Sequence, residues 1–239
     1  MKPIQLNLPG NNDFFTGEAY KVLRTNLQFC GKDIKVIALT SCNANEGKST
    51  VSLHIAKSFA ELGKNVLMID ADMRKSVIAG RNTTVTKPRG LSEVLTGLNT
   101  LEECIYPVEN TSLHILFAGK YPPNPVELLN SKYFEELMQK SRERYDYIIV
   151  DTPPLGQVID AAVIAKQCDG VAMIISNSKV HYKAAQMVVD TIQKSGCKML
   201  GVIRNSTKRQ KGGYYYQKYG YGSKYGYTAQ ANTSEKEKK

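Results

Sequence analysis

The sequence predicts an α/β fold built on a doubly wound, mostly parallel sheet. Two observations support this prediction: five short apolar runs occur in the first 207 residues, and stretches of helical periodicity separate them. Continuous apolar runs are typical of central strands in a parallel sheet, because such strands are buried on both faces. Strands that alternate with helices indicate that helices cover both faces of the sheet.

The individual elements follow from these two patterns. The predicted strands cover residues 35–40, 65–70, 147–151, 171–175 and 199–204. The predicted helices cover residues 17–30, 49–62, 132–144, 159–167 and 181–195. In a sheet of this kind ligands bind beyond the carboxyl ends of the strands, so the residues directly after each apolar run are the candidates for function.

The composition supports a packed domain and excludes several classes of protein. Of 239 residues, 42% are hydrophobic and 23% are charged, which is incompatible with wholesale disorder. No apolar run approaches the roughly 18 residues that cross a bilayer, and the first residues lack the apolar stretch of a secretory signal. The five cysteines include no CxxC pair, which argues against a zinc site and a disulfide framework. We therefore expect a cytoplasmic protein.

The last 32 residues differ from the rest in charge and composition. The chain carries a net charge of +10, and residues 208–239, with eight Lys or Arg and two Glu, contribute +6 of it. This stretch has interleaved glycines but too few apolar residues to offset the entropy of ordering it. We predict a domain at residues 1–207 and a disordered basic tail at 208–239. The globular part is then not basic enough to suggest a nucleic-acid-binding protein.

A phosphate-binding loop is predicted after the first strand. Residues 42–49 read CNANEGKS and follow the P-loop pattern G-x-x-x-x-G-K-[ST], except that Cys42 replaces the first glycine. Backbone N–H groups of such a loop point at phosphate oxygens, while Lys48 reaches the β and γ phosphates and Ser49 ligates Mg²⁺. The predicted loop contacts are Cys42, Asn43, Ala44, Asn45, Glu46, Gly47, Lys48, Ser49 and Thr50.

Three aspartates lie at or just after the ends of two of the other predicted strands. Asp70 and Asp72 are two residues apart on an extended chain, so we expect them to share a face at the carboxyl edge of the sheet. Two adjacent carboxylates repel each other, and a bound cation is their natural partner. One can hold the hydration shell of a metal while the other accepts a proton. Asp151 ends the third strand, where NTPases with a P-loop place a second contact to Mg²⁺.

These residues together resemble a known family. The Glu46–Thr50 loop, the sequence Asp70-x-Asp72-x-Arg74 and residues 151–154 (DTPP) are similar to the three Walker-type motifs of bacterial tyrosine kinases of capsular and exopolysaccharide synthesis. These kinases are P-loop NTPases of the deviant-Walker ATPase type. Further matching stretches are residues 18–26, 90–95, 119–125, 127–131 and the terminal tyrosine cluster, so the resemblance covers the whole chain.

The resemblance implies an activity and roles for individual residues. It implies phosphorylation of tyrosines with ATP and Mg²⁺ as cofactors, with Asp70 as the base, Lys48 on the phosphates, and Ser49, Asp72 and Asp151 positioning the metal. Asn205 lies where related ATPases contact adenine. Other proteins and the tail itself are the implied substrates. The implied acceptors in the tail are Tyr214, Tyr215, Tyr216, Tyr219, Tyr221, Tyr225 and Tyr227.

The resemblance also implies partners. Glu18, Lys21 and Arg24 resemble the oligomerisation motif E-x-x-R-x-x-R of the family, with Lys21 in place of the first arginine. A ring-shaped homo-oligomer is therefore implied, in which one protomer phosphorylates the tail of another. The family further implies a membrane adaptor of the polysaccharide chain-length type, which activates the kinase and recruits it to the inner face of the membrane.

Two other functions compete with this interpretation. Partitioning or septum-site ATPases share the scaffold and hydrolyse ATP, but they do not need a tyrosine-rich tail and typically carry an extra lysine early in the loop. Residues 41–45 contain no lysine. A non-enzymatic alternative is a tail that binds nucleic acid through stacked tyrosines and lysines. The tail has a single arginine, Arg209, and lacks the run of arginines and the defined RNA modules that usually accompany that function.

Overall fold

A mostly parallel sheet forms the centre of the fold in the computed structural model, which describes residues 3–8, 13–83, 85–176 and 180–205. The predicted tail and its seven acceptor tyrosines lie outside these residues. In the described part of the chain the strands are β1 (Val36–Ser41), β2 (Val66–Asp70), β3 (Ile105–Pro107), β4 (Leu113–Leu116), β5 (Tyr147–Asp151), β6 (Gly170–Ser176) and β7 (Met199–Asn205). Their order is β3-β4-β2-β5-β1-β6-β7.

The sheet has the winding that the sequence predicts. All neighbouring strands are parallel except β3 and β4, which pair antiparallel at one end. The helices among the described residues are α1 (Phe14–Phe29), α2 (Lys48–Ala60), α3 (Ile78–Asn82), α4 (Leu91–Leu95), α5 (Leu101–Cys104), α6 (Pro125–Leu129), α7 (Lys132–Arg144), α8 (Asp160–Ala165) and α9 (Tyr182–Lys194). Not one of these helices is both long enough and apolar enough to span a bilayer.

Helices cover both faces of the sheet, and each face has its own apolar core. Along β1 the side chains alternate: Val36 and Ala38 belong to one core, Ile37 and Leu39 to the other. This alternation follows from the period of two in a strand. The first core also contains residues of α7, α8 and α9, and the second contains residues of α1 and α2. The doubly wound fold is thereby confirmed.

The predicted elements agree with the structure, while several short elements were not predicted. All five predicted strands end within one residue of the observed bounds, and α1 begins three residues earlier than expected. Strands β3 and β4 and helices α3 to α6 are three to five residues long. Such short elements carry too few residues to display a periodicity, and their pairing with distant residues specifies them.

The order of the central strands brings the predicted site residues together. Strands β2, β5 and β1 are consecutive neighbours in the sheet. Because they are parallel, their carboxyl ends lie at the same edge. Asp70 at the end of β2 is in register with Asp151 at the end of β5, and the phosphate loop follows the end of β1.

Candidate active site

The phosphate loop requires glycine at its last position. Gly47 precedes α2 and has φ +81°, in the left-handed region that glycine adopts without strain. A methyl group on Gly47 would also overlap the side-chain amide of Asn205. Asn45 adopts φ +64°, which asparagine tolerates better than most residues. Helix α2 begins directly afterwards at Lys48, so the first N–H groups of α2 have no intrahelical acceptors and can bind an anion.

Cys42 fits the loop without the glycine that the pattern has at this position. The backbone of Cys42 does not adopt a positive φ, so the turn does not require glycine at this position. The side chain is buried, and its Sγ lies 3.6 Å from the Sδ of Met173. Burial, followed by the charge of Glu46, raises the pKa of the Cys42 thiol to about 11. Cys42 is therefore a packing residue of the loop.

Glu46 and Asn205 hold the loop in shape. One carboxylate oxygen of Glu46 accepts a hydrogen bond from the N–H of Asn43 (2.9 Å), and the other accepts one from the N–H of Ser176 in β6 (3.4 Å). The side-chain amide of Asn205 donates to the carbonyl oxygen of Glu46 (2.9 Å). Asn205 thus lies beside the phosphate loop. Its contact with adenine stays a prediction.

Lys48 and Asp151 form a buried ion pair. The Nζ of Lys48 lies 2.9 Å from Oδ1 of Asp151, and the hydroxyl of Ser52 donates to the same oxygen at 2.9 Å. Both charged side chains are almost completely buried. The other carboxylate oxygen, Oδ2, is buried too and has no hydrogen-bond partner within the described ranges. Because an unpaired buried acceptor is costly, this oxygen is suited to a cation or to a hydrogen-bond donor.

A divalent cation fits the unpaired oxygen of Asp151. No group of three or more His, Cys, Asp or Glu side chains in the part of the chain that the structure describes could hold a metal by itself. Mg²⁺ does not need such a cage, since it usually keeps several waters and binds through one or two carboxylates plus phosphate oxygens. Ser49, the second residue of α2, and Asp72 stand at the same edge of the sheet as the other predicted ligands.

Asp70 is a fully buried carboxylate beside a second one. Its Oδ1 accepts a hydrogen bond from the N–H of Asp72 (3.2 Å), and its Oδ2 accepts one from the hydroxyl of Ser76. Burial and the neighbouring charge of Asp151 raise the pKa of Asp70 to about 8, although Ser76 and Lys48 act in the opposite direction. The raised pKa makes Asp70 a better proton acceptor than an ordinary aspartate.

The loop after β2 is fixed by its own polar groups. The Oδ1 of Asp72 accepts hydrogen bonds from the N–H groups of Arg74 (3.3 Å) and Lys75 (2.9 Å). The guanidinium of Arg74 forms a two-pronged ion pair with Asp160, the first residue of α8, at 2.6 and 3.0 Å. Because Asp160 is buried, this pair holds the Asp72 loop to the first turn of α8.

Sequence reasoning did not assign roles to several residues that the structure brings to the site. Ser52, Ser76 and Asp160 contact the predicted carboxylates or their loop. Only the position of Ser52 gave a signal, since it lies one turn after Lys48 on the same helix face. Ser76 lies in an irregular loop, and Asp160 is distant in sequence from the residue that it contacts. No periodicity in the sequence therefore marks either of them.

The predicted oligomerisation residues lie on α1. Glu18 and Lys21 pair at 2.8 Å on the surface. Arg24 instead contacts its own chain: its Nη1 donates to the carbonyl oxygen of Ser58 in α2 (2.7 Å) and lies 3.3 Å from the Ser58 hydroxyl. Arg24 thereby anchors α1 to α2, and a role in an interface stays a prediction.

Comparisons with known proteins show the family of the chain. A family model described as an AAA domain matches residues 34–199. The tyrosine-protein kinase CpsD of Streptococcus agalactiae is 39% identical over 190 residues, which is 80% of this chain and 83% of that protein. The chain belongs to this family of tyrosine-protein kinases. The solved kinase domain of the Escherichia coli tyrosine kinase ETK is similar with a TM-score of 0.78 and 29% identity, over 85% of this chain and 82% of that chain.

The tyrosine-kinase family is favoured over the septum-site ATPases. The septum-site protein MinD of Pyrococcus horikoshii, solved with Mg-ADP, has a TM-score of 0.59 and 23% identity, over 74% of this chain and 72% of that chain. This likeness shows a shared fold alone. A nucleotide-binding fold is common to both groups, and the predicted recognition as a tyrosine kinase is confirmed.

Proposed function

We propose that this protein-tyrosine kinase phosphorylates tyrosines of its own tail with Mg²⁺ and ATP, and regulates the synthesis of a capsular or extracellular polysaccharide. The observation that carries the proposal is the meeting of three groups at one sheet edge. Lys48 offers a cation for phosphate oxygens, Asp151 offers an unpaired carboxylate oxygen for a metal, and Asp70 offers a carboxylate of raised pKa for a proton. Phosphoryl transfer needs these three functions.

Nucleotide binding exchanges the partners of the buried ion pair. Lys48 leaves Asp151 and takes the β and γ phosphate oxygens, which carry more negative charge than one carboxylate. The carboxylate of Asp151 is then free for the metal, together with Asp72 and the hydroxyl of Ser49. When bound there, Mg²⁺ neutralises the charge that develops on the transferred phosphoryl group. The loop N–H groups and Asn205 orient the nucleotide from the other side.

Asp70 accepts the proton of the incoming phenol. A tyrosine hydroxyl has a pKa of about 10 and is a weak nucleophile until a base takes its proton. The raised pKa of Asp70 lies closer to the pKa of the tyrosine hydroxyl than that of an ordinary aspartate does, which favours late proton transfer. The carboxylates beside the site also attract the basic tail, which carries eight Lys or Arg.

Phosphorylation then weakens that attraction. Each phosphate adds about −1.5 to −2 charges, so about three of them cancel most of the +6 of residues 208–239. We expect the phosphorylated tail to leave the site and the oligomer to loosen. Light scattering tests this step: a fully phosphorylated sample that keeps the mass of the unmodified one would contradict it.

Exposed apolar residues of α1 support the proposed ring. Phe15, Val22 and Phe29 follow one another at intervals of seven residues and are exposed by 48%, 60% and 82%. A spacing of seven places them on one face of the helix. Such a face is suited to contact with a second copy. Because Arg24 anchors α1 to α2, the face is held in a fixed position.

The proposed adaptor carries the kinase to the inner face of the membrane. The support for it is the likeness of the motifs to those of the capsular kinases. The test is sedimentation with anionic vesicles that contain a chain-length-type adaptor, compared with vesicles without it. Binding to both kinds of vesicle, or to neither, would contradict recruitment by the adaptor.

Tandem mass spectrometry after incubation with Mg-ATP tests the kinase proposal. The parent chain is expected to carry phosphate on the tail tyrosines, and the Lys48→Met variant to carry none. A variant with the seven acceptor tyrosines replaced by phenylalanine keeps the site intact and controls for phosphorylation elsewhere. If the parent releases phosphate steadily but no tyrosine is modified, the chain acts as an ATPase and the proposal fails.

A further inference from the structure

The proposed base has no oxygen available for a substrate in this structure. Asp70 has no exposed surface, its Oδ1 accepts from the N–H of Asp72, and its Oδ2 accepts from the hydroxyl of Ser76. The contact from Ser76 has the same chemistry as the one a substrate tyrosine must make, since a hydroxyl donates to the carboxylate. An acceptor phenol can therefore reach Asp70 only after Ser76 has moved.

A tyrosine outside the tail holds the segment that carries Ser76. The hydroxyl of Tyr121 donates to the backbone carbonyl oxygen of Ser76 at 3.1 Å. Tyr121 as a residue is 60% exposed, so it lies at the surface of the protein. Burial and then the charges of Asp70 and Asp72 raise the pKa of Tyr121, which places its phenol in the field of both carboxylates.

The loop that presents Tyr121 is fixed from behind by Glu93. The carboxylate of Glu93 is buried and accepts hydrogen bonds from the N–H of Gly90 (2.8 Å) and the N–H of Lys120 (3.3 Å). A methyl group on Gly119 would overlap this carboxylate, so the loop approaches α4 closely. The position of Tyr121 is thus set by these hydrogen bonds and this close approach. The backbone of the loop after β2 is fixed too, so displacement from Asp70 falls to the side chain of Ser76.

We propose that Ser76 and Tyr121 form the acceptor subsite of the kinase. In the resting chain the hydroxyl of Ser76 fills the place of the substrate phenol on Asp70, and the ring of Tyr121 is the wall against which that phenol packs. This inference rests on the proposed kinase function, because it assigns the acceptor side of the same site. It also explains how a fully buried carboxylate can serve an external substrate.

The reaction at this subsite follows from the exchange of one hydroxyl for another. The incoming phenol displaces the Ser76 hydroxyl and donates its hydrogen bond to Oδ2 of Asp70. Its oxygen forms a bond to the γ phosphorus while the bond from that phosphorus to the β–γ bridging oxygen breaks. The proton passes to Asp70 and ADP leaves with the bridging oxygen. When the product departs, Asp70 returns its proton to water and Ser76 closes again.

Removal of the competing hydroxyl tests the proposal. In the full chain with Mg-ATP, a random Glu/Tyr copolymer serves as the external acceptor. The Ser76→Ala variant is expected to raise kcat/KM for the copolymer about tenfold, since a hydrogen bond to a charged group no longer has to be displaced. The KM for ATP is expected to stay unchanged. The Ser76→Thr variant keeps the hydroxyl and is expected to restore the value of the parent.

Variants of Tyr121 separate its two roles. Tyr121→Phe keeps the ring but loses the hydrogen bond to Ser76, so kcat/KM for the copolymer is expected to rise about threefold. Tyr121→Ala also removes the wall, so the KM for the copolymer is expected to rise while the KM for ATP does not. Tyr133→Phe is the matched control, because this tyrosine of α7 is 62% exposed and is expected to have no effect.

The outcomes distinguish failure of the proposed subsite from failure of the proposed kinase activity. A fall in copolymer phosphorylation in Ser76→Ala, or no change, overturns the proposal, because Ser76 would then assist the reaction or take no part in it. If Ser76→Ala fails to fold, as judged by circular dichroism, Tyr121→Phe decides instead: a rate no higher than that of the parent overturns the proposal. If the parent hydrolyses ATP and phosphorylates neither copolymer nor tail, the proposed function has failed and the subsite falls with it.

Discussion

The ammonium group of Lys48 lies 2.9 Å from a carboxylate oxygen of Asp151, and neither side chain has more than 7% of its surface exposed. In this state each charge compensates the other, and both are directed away from solvent. The pair therefore has one role in the stability of the chain and another in the binding of nucleotide. These two roles can be separated by experiment.

Removal of Lys48 alone is expected to destabilise the chain. Lys48→Met leaves Asp151 as an uncompensated buried charge, which typically costs about 3–5 kcal/mol of unfolding free energy. The double variant Lys48→Met/Asp151→Asn is expected to regain most of that loss but no kinase activity. Urea unfolding and a phosphotyrosine assay measure the two effects. Equal stability of the single and double variants would contradict the coupling.

Replacement of the proposed base is expected to increase the stability of the chain while it lowers the kinase activity. Burial raises the pKa of Asp70 to about 8, so the folded chain must either protonate this carboxyl or bury its charge beside Asp151. Asp70→Asn removes that cost, so the unfolding free energy is expected to increase. The rate of tyrosine phosphorylation is expected to fall by about 10²- to 10⁴-fold, the usual contribution of a general base. Nucleotide affinity serves as the control and is expected to stay close to that of the parent. An active Asp70→Asn variant would exclude Asp70 as the base.

Two glycines provide a matched test of the phosphate loop. Gly47→Ala combines a left-handed backbone with overlap of the Asn205 amide, so we expect loss of nucleotide binding and a cost of about 1–3 kcal/mol in stability. Gly17→Ala lies in α1 with no neighbouring atom near its added methyl group, and it is expected to gain about 0.5–1 kcal/mol. Binding of a fluorescent ADP analogue and thermal unfolding give both readouts. A tolerated Gly47→Ala would show that the loop can relax.

Asp169 is expected to make stability depend on pH in the acid range. Burial alone raises the pKa of its carboxyl, but hydrogen bonds from Arg142 and from the N–H groups of Val36 and Lys35 more than compensate and lower it. Because the folded pKa is lowered, the contribution is complete above the unfolded value of about 3.9 and disappears as the pH falls through the folded value. Asp169→Asn is therefore expected to cost about 1–3 kcal/mol at pH 7.

The control for this prediction is Asp33→Asn, an exposed aspartate of the turn before β1. Urea unfolding of both variants and of the parent between about pH 2 and about pH 7 provides the test, since the change is expected below the unfolded pKa of about 3.9. The difference between the parent and Asp169→Asn should shrink with falling pH. A difference that stays constant over this range would show that the charge of Asp169 does not stabilise the fold.

The exposed face of α1 is expected to carry the contact between protomers. Replacing Val22 and Phe29 by glutamate places charges on this face and is expected to reduce the particle mass in light scattering to that of a monomer of 26.6 kDa. Met187→Gln alters an equally exposed residue of α9 and is the control. A monomeric parent chain, or an oligomer that survives the double substitution, would exclude α1 as the interface.

The sequence was sufficient for the parts of the fold and site that depend on short-range patterns. The apolar runs around Ile37 and Ile149 mark central strands because both faces of these strands are buried. Lys48, Asp70 and Asp151 could be predicted because each directly follows such a strand or its loop. The partners of these residues were not predictable in the same way. Ser76 contacts Asp70 from an irregular loop, and Asp160 contacts Arg74 across 86 residues of sequence. Such contacts leave no local pattern in the sequence.

The buried thiol of Cys42 has a consequence for how this kinase responds to oxidants. Peroxide and alkylating reagents attack the thiolate, and a pKa of about 11 leaves only about one thiol in ten thousand in that form at pH 7. We therefore expect the cysteine that replaces a glycine in the phosphate loop to react slowly with such reagents, since it is both buried and mostly protonated. Nucleotide binding is expected to persist after treatment that inactivates enzymes with reactive cysteines.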